Sequence, residues 1–391
     1  MERTAVRKSV VTIVTKSLPH YRIAFFEALR SELERYGVTL GLVYGLPSAE
    51  EATKQDTAAI SWGHPIRNRR IAFGRRSFWW QPCAELVRGS DLVIVEQASK
   101  LLLNYVLLAR QTMGGSRVAF WGHGRNFQGH AASRLGESVK RLISRWPHWW
   151  FAYTEGSAEV VRQLHYPPDR ITVVQNAIDT AALRRRRASV SEEELATLRL
   201  RWDIRSRNVA IFVGGLYAEK RIQFLIDAAR ALRRRVVDFE LIVIGAGPDQ
   251  VLVEEAAREH RWIHYPGPSL GTDKVPFFSL SKVMLLPGLV GLGVLDSFAL
   301  EIPLVTVDLA YHSPEVDYLR HGENGVKLPA GTDPEEYAVA VSCLLCDERA
   351  REHLQAGCRV AAQTYTIEAM VSRFAAGVIL AIGRGRAANP A

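Results

Sequence analysis

Short apolar runs alternate along the chain with longer stretches in which apolar side chains recur every third or fourth position. The runs read as buried strands and the stretches as helices. In the first half, strands are expected at residues 10–14, 38–44, 71–73, 91–96, 117–121, 149–153 and 171–174, and helices at 23–35, 78–87, 99–110, 131–145 and 155–164. In the second half, strands are expected at 209–213, 239–244, near Ile263, 283–286 and 304–307. Helices follow at 221–235, up to His260, near Phe277, and at 294–301, 333–345, 348–363 and 366–382.

Regular strand–helix alternation implies parallel sheets covered by helices on both faces. With 391 residues the chain exceeds one ordinary core. The fold class expected is therefore α/β, with two doubly wound, Rossmann-like domains facing a cleft. Residues 1–178 form the first domain, 179–207 a linker and 208–365 the second. In such sheets ligands bind outside the carboxyl ends of the strands.

The stretch from Val283 to Glu315 has the strongest local pattern: strand, glycine loop, short helix, strand. Gly288, Gly291 and Gly293 let backbone amides approach a ligand, and a helix start favours an anion. Asp296 falls in the first helical turn. It serves either the helix dipole or a ligand hydroxyl such as that of a ribose. Lys220 stands where another helix begins, a place the dipole disfavours for a cation. A bound diphosphate would resolve that conflict.

Composition narrows the partners. A net charge of +9 admits nucleic acid, an anionic membrane surface or phosphate-bearing ligands. The run Arg184 to Arg187 lacks interleaved aromatics and reads as a solvated face, so no nucleic acid is expected. Arg134, Lys140, Arg141 and Arg145, leading into Trp146, Trp149 and Trp150, make a candidate peripheral membrane anchor. Of the four cysteines, Cys343 and Cys346 form an isolated C-x-x-C read as core packing rather than zinc. Few cysteines, no signal peptide and no run near ~20 apolar residues imply a cytoplasmic chain.

At this point the motifs carry a resemblance. Phe212-Val-Gly-Gly-Leu-Tyr-Ala-Glu-Lys220, then Leu241-Ile-Val-Ile-Gly-Ala-Gly-Pro248, resembles the donor domain of family 4 glycosyltransferases of the GT-B fold. Gln175-Asn176-Ala-Ile-Asp179 resembles the family's domain junction. Leu18 to Phe26 resembles its first acceptor-side loop and helix, and Asn324-Gly325 its late turn. The resemblance implies a retaining, metal-independent hexosyltransferase of polysaccharide biosynthesis. Its donor would be a nucleoside-diphosphate sugar, and its acceptor a glycan, a lipid-linked glycan or a small molecule. No separate cofactor is expected, and no Asp-x-Asp occurs. Donor contacts would come from Gly214, Gly215, Lys220, Gly291, Leu292, Gly293, Val294 and Asp296. His123 and Lys220 would be catalytic, His20 and Arg22 acceptor-side, and Glu315 a further candidate. The last helix, 366–384, would pack back on the first domain.

Gly215 stands where the family has arginine. An alignment through Pro303 puts Gly288 where it has the first of two glutamates. Two other classes compete: a GT-B-fold binding protein without catalysis, and an NAD-dependent oxidoreductase using Gly245-Ala-Gly247. The oxidoreductase pattern lacks its third glycine, with Gln250 in that place.

Overall fold

The computed structural model describes residues 8–47, 57–74, 76–124 and 143–383. They divide into two units. The first holds the described residues up to Asn176 together with the helix Ile367–Gly383, and the second is Ala177–Thr366.

The first unit contains β1 (Ser9–Thr15), β2 (Val38–Gly45), β3 (His64–Ile66), β4 (Arg69–Phe73), β5 (Arg76–Trp80), β6 (Leu92–Glu96), β7 (Arg117–Gly122), β8 (Trp149–Ala152) and β9 (Ile171–Val173). Seven of them form a parallel sheet in the order β3-β2-β1-β6-β7-β8-β9. Burial on both faces explains the nearly unbroken apolar runs in β1 and β6. The helix Ile23–Arg35 covers one face through Phe25, Phe26, Leu29 and Leu33.

The C-terminal helix Ile367–Gly383 belongs to this unit because its apolar face is matched here. Phe374 stacks on Phe151 at 4.3 Å and meets Phe25 and Trp121 edge-on at 5.3 and 5.2 Å. Gly377 lies so close to Thr172 that a Cβ would collide with its hydroxyl. Arg117 closes the helix by donating to the carbonyls of Ala381 and Ile382, both at 3.0 Å. The run Glu348–Gly383 is long and apolar enough to cross a membrane by composition, which the sequence reading did not expect. In the last helix, however, Met370, Phe374 and Val378 are fully buried inside the protein.

β4 and β5 form a separate antiparallel hairpin, where a helix at 78–87 was expected. Phe78, Trp79 and Trp80 favour an extended, half-buried strand, and Pro82 stops any helix that would continue from them. The helix expected at 131–145 lies largely outside the described residues, and with it Arg134, Lys140 and Arg141. Trp149 and Trp150 are buried in β8, leaving Trp146 as the exposed ring of the three. The proposed membrane anchor therefore loses two of its aromatic contacts.

The second unit is one parallel sheet of β10 (Val209–Val213), β11 (Glu240–Ile244), β12 (Ile263–Gly267), β13 (Val283–Leu286), β14 (Leu304–Val307) and β15 (Gly325–Leu328). Their order is β12-β11-β10-β13-β14-β15. The expected linker is in fact two capped helices of this unit. Asp179 caps Thr180–Ser189 through the Ala182 amide, and Ser191 caps Glu192–Trp202 through the Glu194 amide. Arg186 pairs with Glu194, and Arg187 with Glu301 at 3.1 Å, so part of the arginine run is spent on ion pairs.

Cys343 and Cys346 are exposed rather than in the core. The helix Pro334–Cys346 buries Tyr337, Ala338, Val341, Leu344 and Leu345, which turns both thiols outward. No group of three metal-ligating side chains occurs among the described residues.

Candidate functional site

In the second unit β10 has β11 on one side and β13 on the other. The connections run outward in opposite directions from that point, so the loops after β10 and β13 diverge at their carboxyl ends. This is where an open parallel sheet offers a crevice. The two loops are Gly214 to Lys220 and Pro287 to Leu292.

Backbone contact fixes them together. The Leu289 amide donates to the Glu219 carbonyl at 2.8 Å. Lys220, in the turn Ala218–Lys220, is buried and donates from Nζ to the Leu289 carbonyl at 2.5 Å. Burial pushes its ammonium down to about 8, against a small opposing pull from Glu219. A carbonyl is weak compensation for a buried cation, so the site is electrostatically suited to an anion.

Gly288 explains itself here. A Cβ would run into the backbone of Glu219 and Lys220, so no side chain of any kind fits. The missing acidic residue is the consequence of tight loop–loop packing. At Gly215 a Cβ would approach the Tyr217 ring to 2.6 Å, so a larger residue there would require that ring to move. Gly245 and Gly247 serve the same purpose. Added Cβ atoms would strike the carbonyls of Gly214 and Leu216, while the amides of Gly214 and Leu216 donate to Ile244 and Ala246. The Gly-Ala-Gly turn is thus filled by protein backbone, which removes the ground for the dinucleotide reading.

Beyond the glycine loop the helix Gly293–Leu300 begins. The amides of Gly291, Leu292 and Gly293 make no loop hydrogen bond among the described residues, whereas those of Val294 and Leu295 turn back to Gly291 and Leu292. Three amides at a helix start are an anion cradle. Asp296, in the first turn, is buried. Its Oδ2 takes the Lys274 ammonium at 2.7 Å, and its Oδ1 has no partner among the described residues. The carboxylate is therefore anchored inside the unit by one oxygen.

His312 was not singled out by sequence reasoning. It is buried, accepts the Val290 amide on Nδ1 at 2.9 Å, and sits 2.7 Å from the Val307 carbonyl through Nε2. The pairing requires the neutral Nε2–H tautomer, and burial holds its pKa below the usual value. With the Ser313 amide on the Val290 carbonyl, it pins the glycine loop to the end of β14. Glu315 is buried in the next turn, Pro314–Tyr318. Glu301 binds Arg187 and, at 2.8 Å, Arg359.

The first unit builds a second cluster at the carboxyl ends of β1 and β7. His20 and Arg22 follow β1, and His123 follows β7. Arg22 is buried, with its guanidinium 4.8 Å from the Trp121 ring, 5.4 Å from Tyr21 and 5.9 Å from Tyr153. Its Nη1, the Trp121 Nε1 and the His20 Nδ1 are buried without hydrogen-bond partners among the described residues. His123 packs edge-on against Tyr153 at 4.6 Å, and burial, aided by the Arg22 charge, pushes it down to about 4. It is neutral at pH 7. Arg125, in the same motif, lies outside the described residues.

The two parallel sheets are shared with known structures along nearly the whole chain. A glycosyltransferase of Rickettsia africae superposes with a TM-score of 0.70 at 12% identity, over 96% of this chain and 99% of that one. The Anabaena protein Alr3699/HepE in complex with UDP-glucose superposes with a TM-score of 0.68 at 14% identity, over 94% and 99%. The fold is that of the GT-B glycosyltransferases. Residues 207–347 match the family described as Glycosyl transferases group 1. That segment runs from the start of β10 through the helix Pro334–Cys346, and so contains the whole cluster of the second unit described above. The alpha-D-kanosaminyltransferase of Streptomyces kanamyceticus is 29% identical over 170 residues, 42% of this chain. The match spans 43% of that relative, less than half of its length.

Proposed function

We propose that the protein is a family 4-type, retaining glycosyltransferase. It moves a hexosyl group from a nucleoside-diphosphate sugar to a hydroxyl acceptor without a metal ion. The observation that carries this reading is the buried Lys220 ammonium joined to the glycine loop, beside three free amides at the start of Gly293–Leu300. When the bond from the sugar to the diphosphate breaks, negative charge grows on the leaving oxygen. A fixed cation and fixed N–H dipoles stabilise that charge without reorganising. This set replaces the divalent ion that other transferases use.

Asp296 Oδ1 is the acceptor available for a donor hydroxyl. In the first unit, Arg22 and Trp121 have donors to satisfy, which suits an oxygen-rich acceptor such as a sugar. Neutral His123 is able to accept or donate one hydrogen bond to the reacting sugar. Retention follows the family resemblance. The complex of HepE with UDP-glucose supports a nucleotide-sugar donor. The test is product formation from a panel of UDP- and GDP-sugars with simple glycoside acceptors, in the presence of a chelator. A parent protein that binds nucleoside diphosphate but transfers no sugar from any donor overturns the reading.

A further inference from the structure

One peptide group in the second unit is gripped from both ends. Its carbonyl, that of Leu289, accepts from the Lys220 ammonium, and its amide, that of Val290, donates to His312 Nδ1 at 2.9 Å. On the far side of the ring, Nε2–H donates to the Val307 carbonyl at 2.7 Å. Lys220, the Leu289–Val290 peptide, His312 and the end of β14 thus form a single hydrogen-bond chain, each donor facing an acceptor. Lys220, Val290 and His312 are all buried, so water competes little with these bonds. Bonds linked in this way polarise one another. An acceptor on the Val290 amide leaves the Leu289 carbonyl more negative, and so a better partner for the ammonium.

The chain runs in a direction that requires one state of His312, with Nδ1 bare and Nε2 protonated. An imidazolium would set an N–H against the Val290 amide. Burial keeps the ring neutral against the pull of the Val307 bond, with Lys327 and Lys220 acting alongside burial and Asp308 opposing it. Two further bonds hold the same loop: the Leu289 amide on the Glu219 carbonyl at 2.8 Å, and the Ser313 amide on the Val290 carbonyl at 2.9 Å. Both backbone polar groups of Leu289 and both of Val290 are therefore committed to protein. The next three amides, Gly291 to Gly293, make no such bond among the described residues. His312 spends both ring nitrogens on backbone, which leaves neither for a ligand. It touches the partner of the cation and not the cation's anion.

We propose that His312 is a positioning residue for the Lys220 ammonium, acting through the Leu289–Val290 peptide. In this role it sets how firmly the ammonium is presented to the diphosphate of a donor. The inference rests on the donor reading of the second unit and adds to it a residue remote from the ligand. Two substitutions separate the two ring nitrogens. His312→Asn places an oxygen near the Nδ1 position, keeping an acceptor for Val290 and giving up Val307. His312→Gln reaches as far as Nε2, keeping a donor for Val307 and giving up the acceptor for Val290.

UDP and GDP are titrated by calorimetry into the full chain and into each variant. His312→Gln should bind nucleoside diphosphate about 10-fold more weakly or worse, and His312→Asn should recover most of the affinity. Nitrogen-15 spectra of the histidines add a signature that support of the fold alone would not give. The His312 Nδ1 resonance should move when UDP binds, and should also move in Lys220→Ala without nucleotide. Affinity equal in parent and His312→Gln overturns the proposal, as does an equal loss in both variants, which would leave His312 a support of the fold. Should either variant fail to fold, the nitrogen resonance decides alone, and one indifferent to both UDP and Lys220→Ala overturns the proposal. A parent that binds neither UDP nor GDP fails the donor reading and this inference with it, whereas the other negative results fail the inference alone.

Discussion

The two units solve the same electrostatic problem by different means. Each buries one cation at the carboxyl ends of a parallel sheet. In the second unit the cation is Lys220, and its partner is a backbone carbonyl inside a glycine loop. In the first it is Arg22, held against the faces of Trp121, Tyr21 and Tyr153. A compact ammonium loses much of its hydration on burial and shifts its pKa, whereas a planar guanidinium tolerates stacking and keeps its charge. The Lys220 site is therefore suited to an anion that restores a full charge partner. The Arg22 site suits a neutral polar ligand that satisfies leftover N–H groups. The difference teaches that the two clusters are distinguished by the kind of compensation each cation lacks.

The largest expected effect tests the anchor beneath the second site. Asp296→Ala leaves the Lys274 ammonium, largely buried, without its carboxylate. Loss of one partner of such a pair costs about 3–5 kcal/mol of stability. A chemical denaturation curve of the full chain checks it. Asp296→Leu combined with Lys274→Met is expected to recover much of the stability and not the donor KM. Recovery of both assigns Asp296 a structural role alone.

Lys220→Ala comes next. It removes a cation that acts on the leaving group, so kcat/KM with a nucleotide sugar should fall by 10²–10³-fold, equivalent to about 3–4 kcal/mol. Stability should hardly change, because the burial cost of the ammonium disappears with it. Steady-state kinetics and a melting curve on one preparation separate the two outcomes. Unchanged kcat/KM removes Lys220 from the site.

Arg22→Met is expected to act on the other side of the comparison. Charge-assisted hydrogen bonds of about 1.5–3 kcal/mol would be lost to the acceptor, raising its KM ~10–100-fold while UDP affinity stays at the parent value. A variant that weakens UDP as much as acceptor would dissolve the division of roles between the units.

Legibility in the sequence followed the same division. The second unit's cluster was readable because one local pattern holds it: glycines at a strand end, a helix start and a lysine one loop away. The boundaries of β10, β13 and β14 follow directly from their apolar runs. His312 escaped because its role depends on a long-range bond to Val290, and no motif marks it. The reason for a glycine at 288 was not readable, since close backbone approach is invisible in a linear pattern. The helices of the expected linker were announced by Asp179 and Ser191, two good caps whose signal the arginine run obscured. The hairpin was missed because its aromatic triplet has both helical and strand readings until Pro82 is weighed. Arg22 packs on Trp121 across a large gap in sequence, so the first cluster was visible as candidates and not as a constellation.

The smallest expected effect is also the one that joins both sites. Burial depresses His123 to about 4 and Lys220 to about 8. Both folded values lie below the ordinary ones, near 6.5 and 10.4. Each group therefore disfavours the protonated form in the folded state. The His123 contribution to stability is full above pH ~6.5 and declines as pH falls toward about 4. The Lys220 cost is full below about 8 and fades as pH rises toward ~10.4. Between about 4 and about 8 the histidine is neutral while the lysine is charged, which is the state the proposed chemistry needs. The profile of kcat/KM, which reports the free enzyme, should fall on both sides of that window. A bound diphosphate stabilises the ammonium, so the alkaline limb of kcat should lie at higher pH than that of kcat/KM. For the same reason, UDP binding at pH 9 should take up a fraction of a proton. Calorimetry in two buffers of different ionisation enthalpy measures it, and the uptake should vanish in Lys220→Ala. An uptake that persists in that variant would place the titrating group elsewhere, with His312 excluded by its lowered pKa.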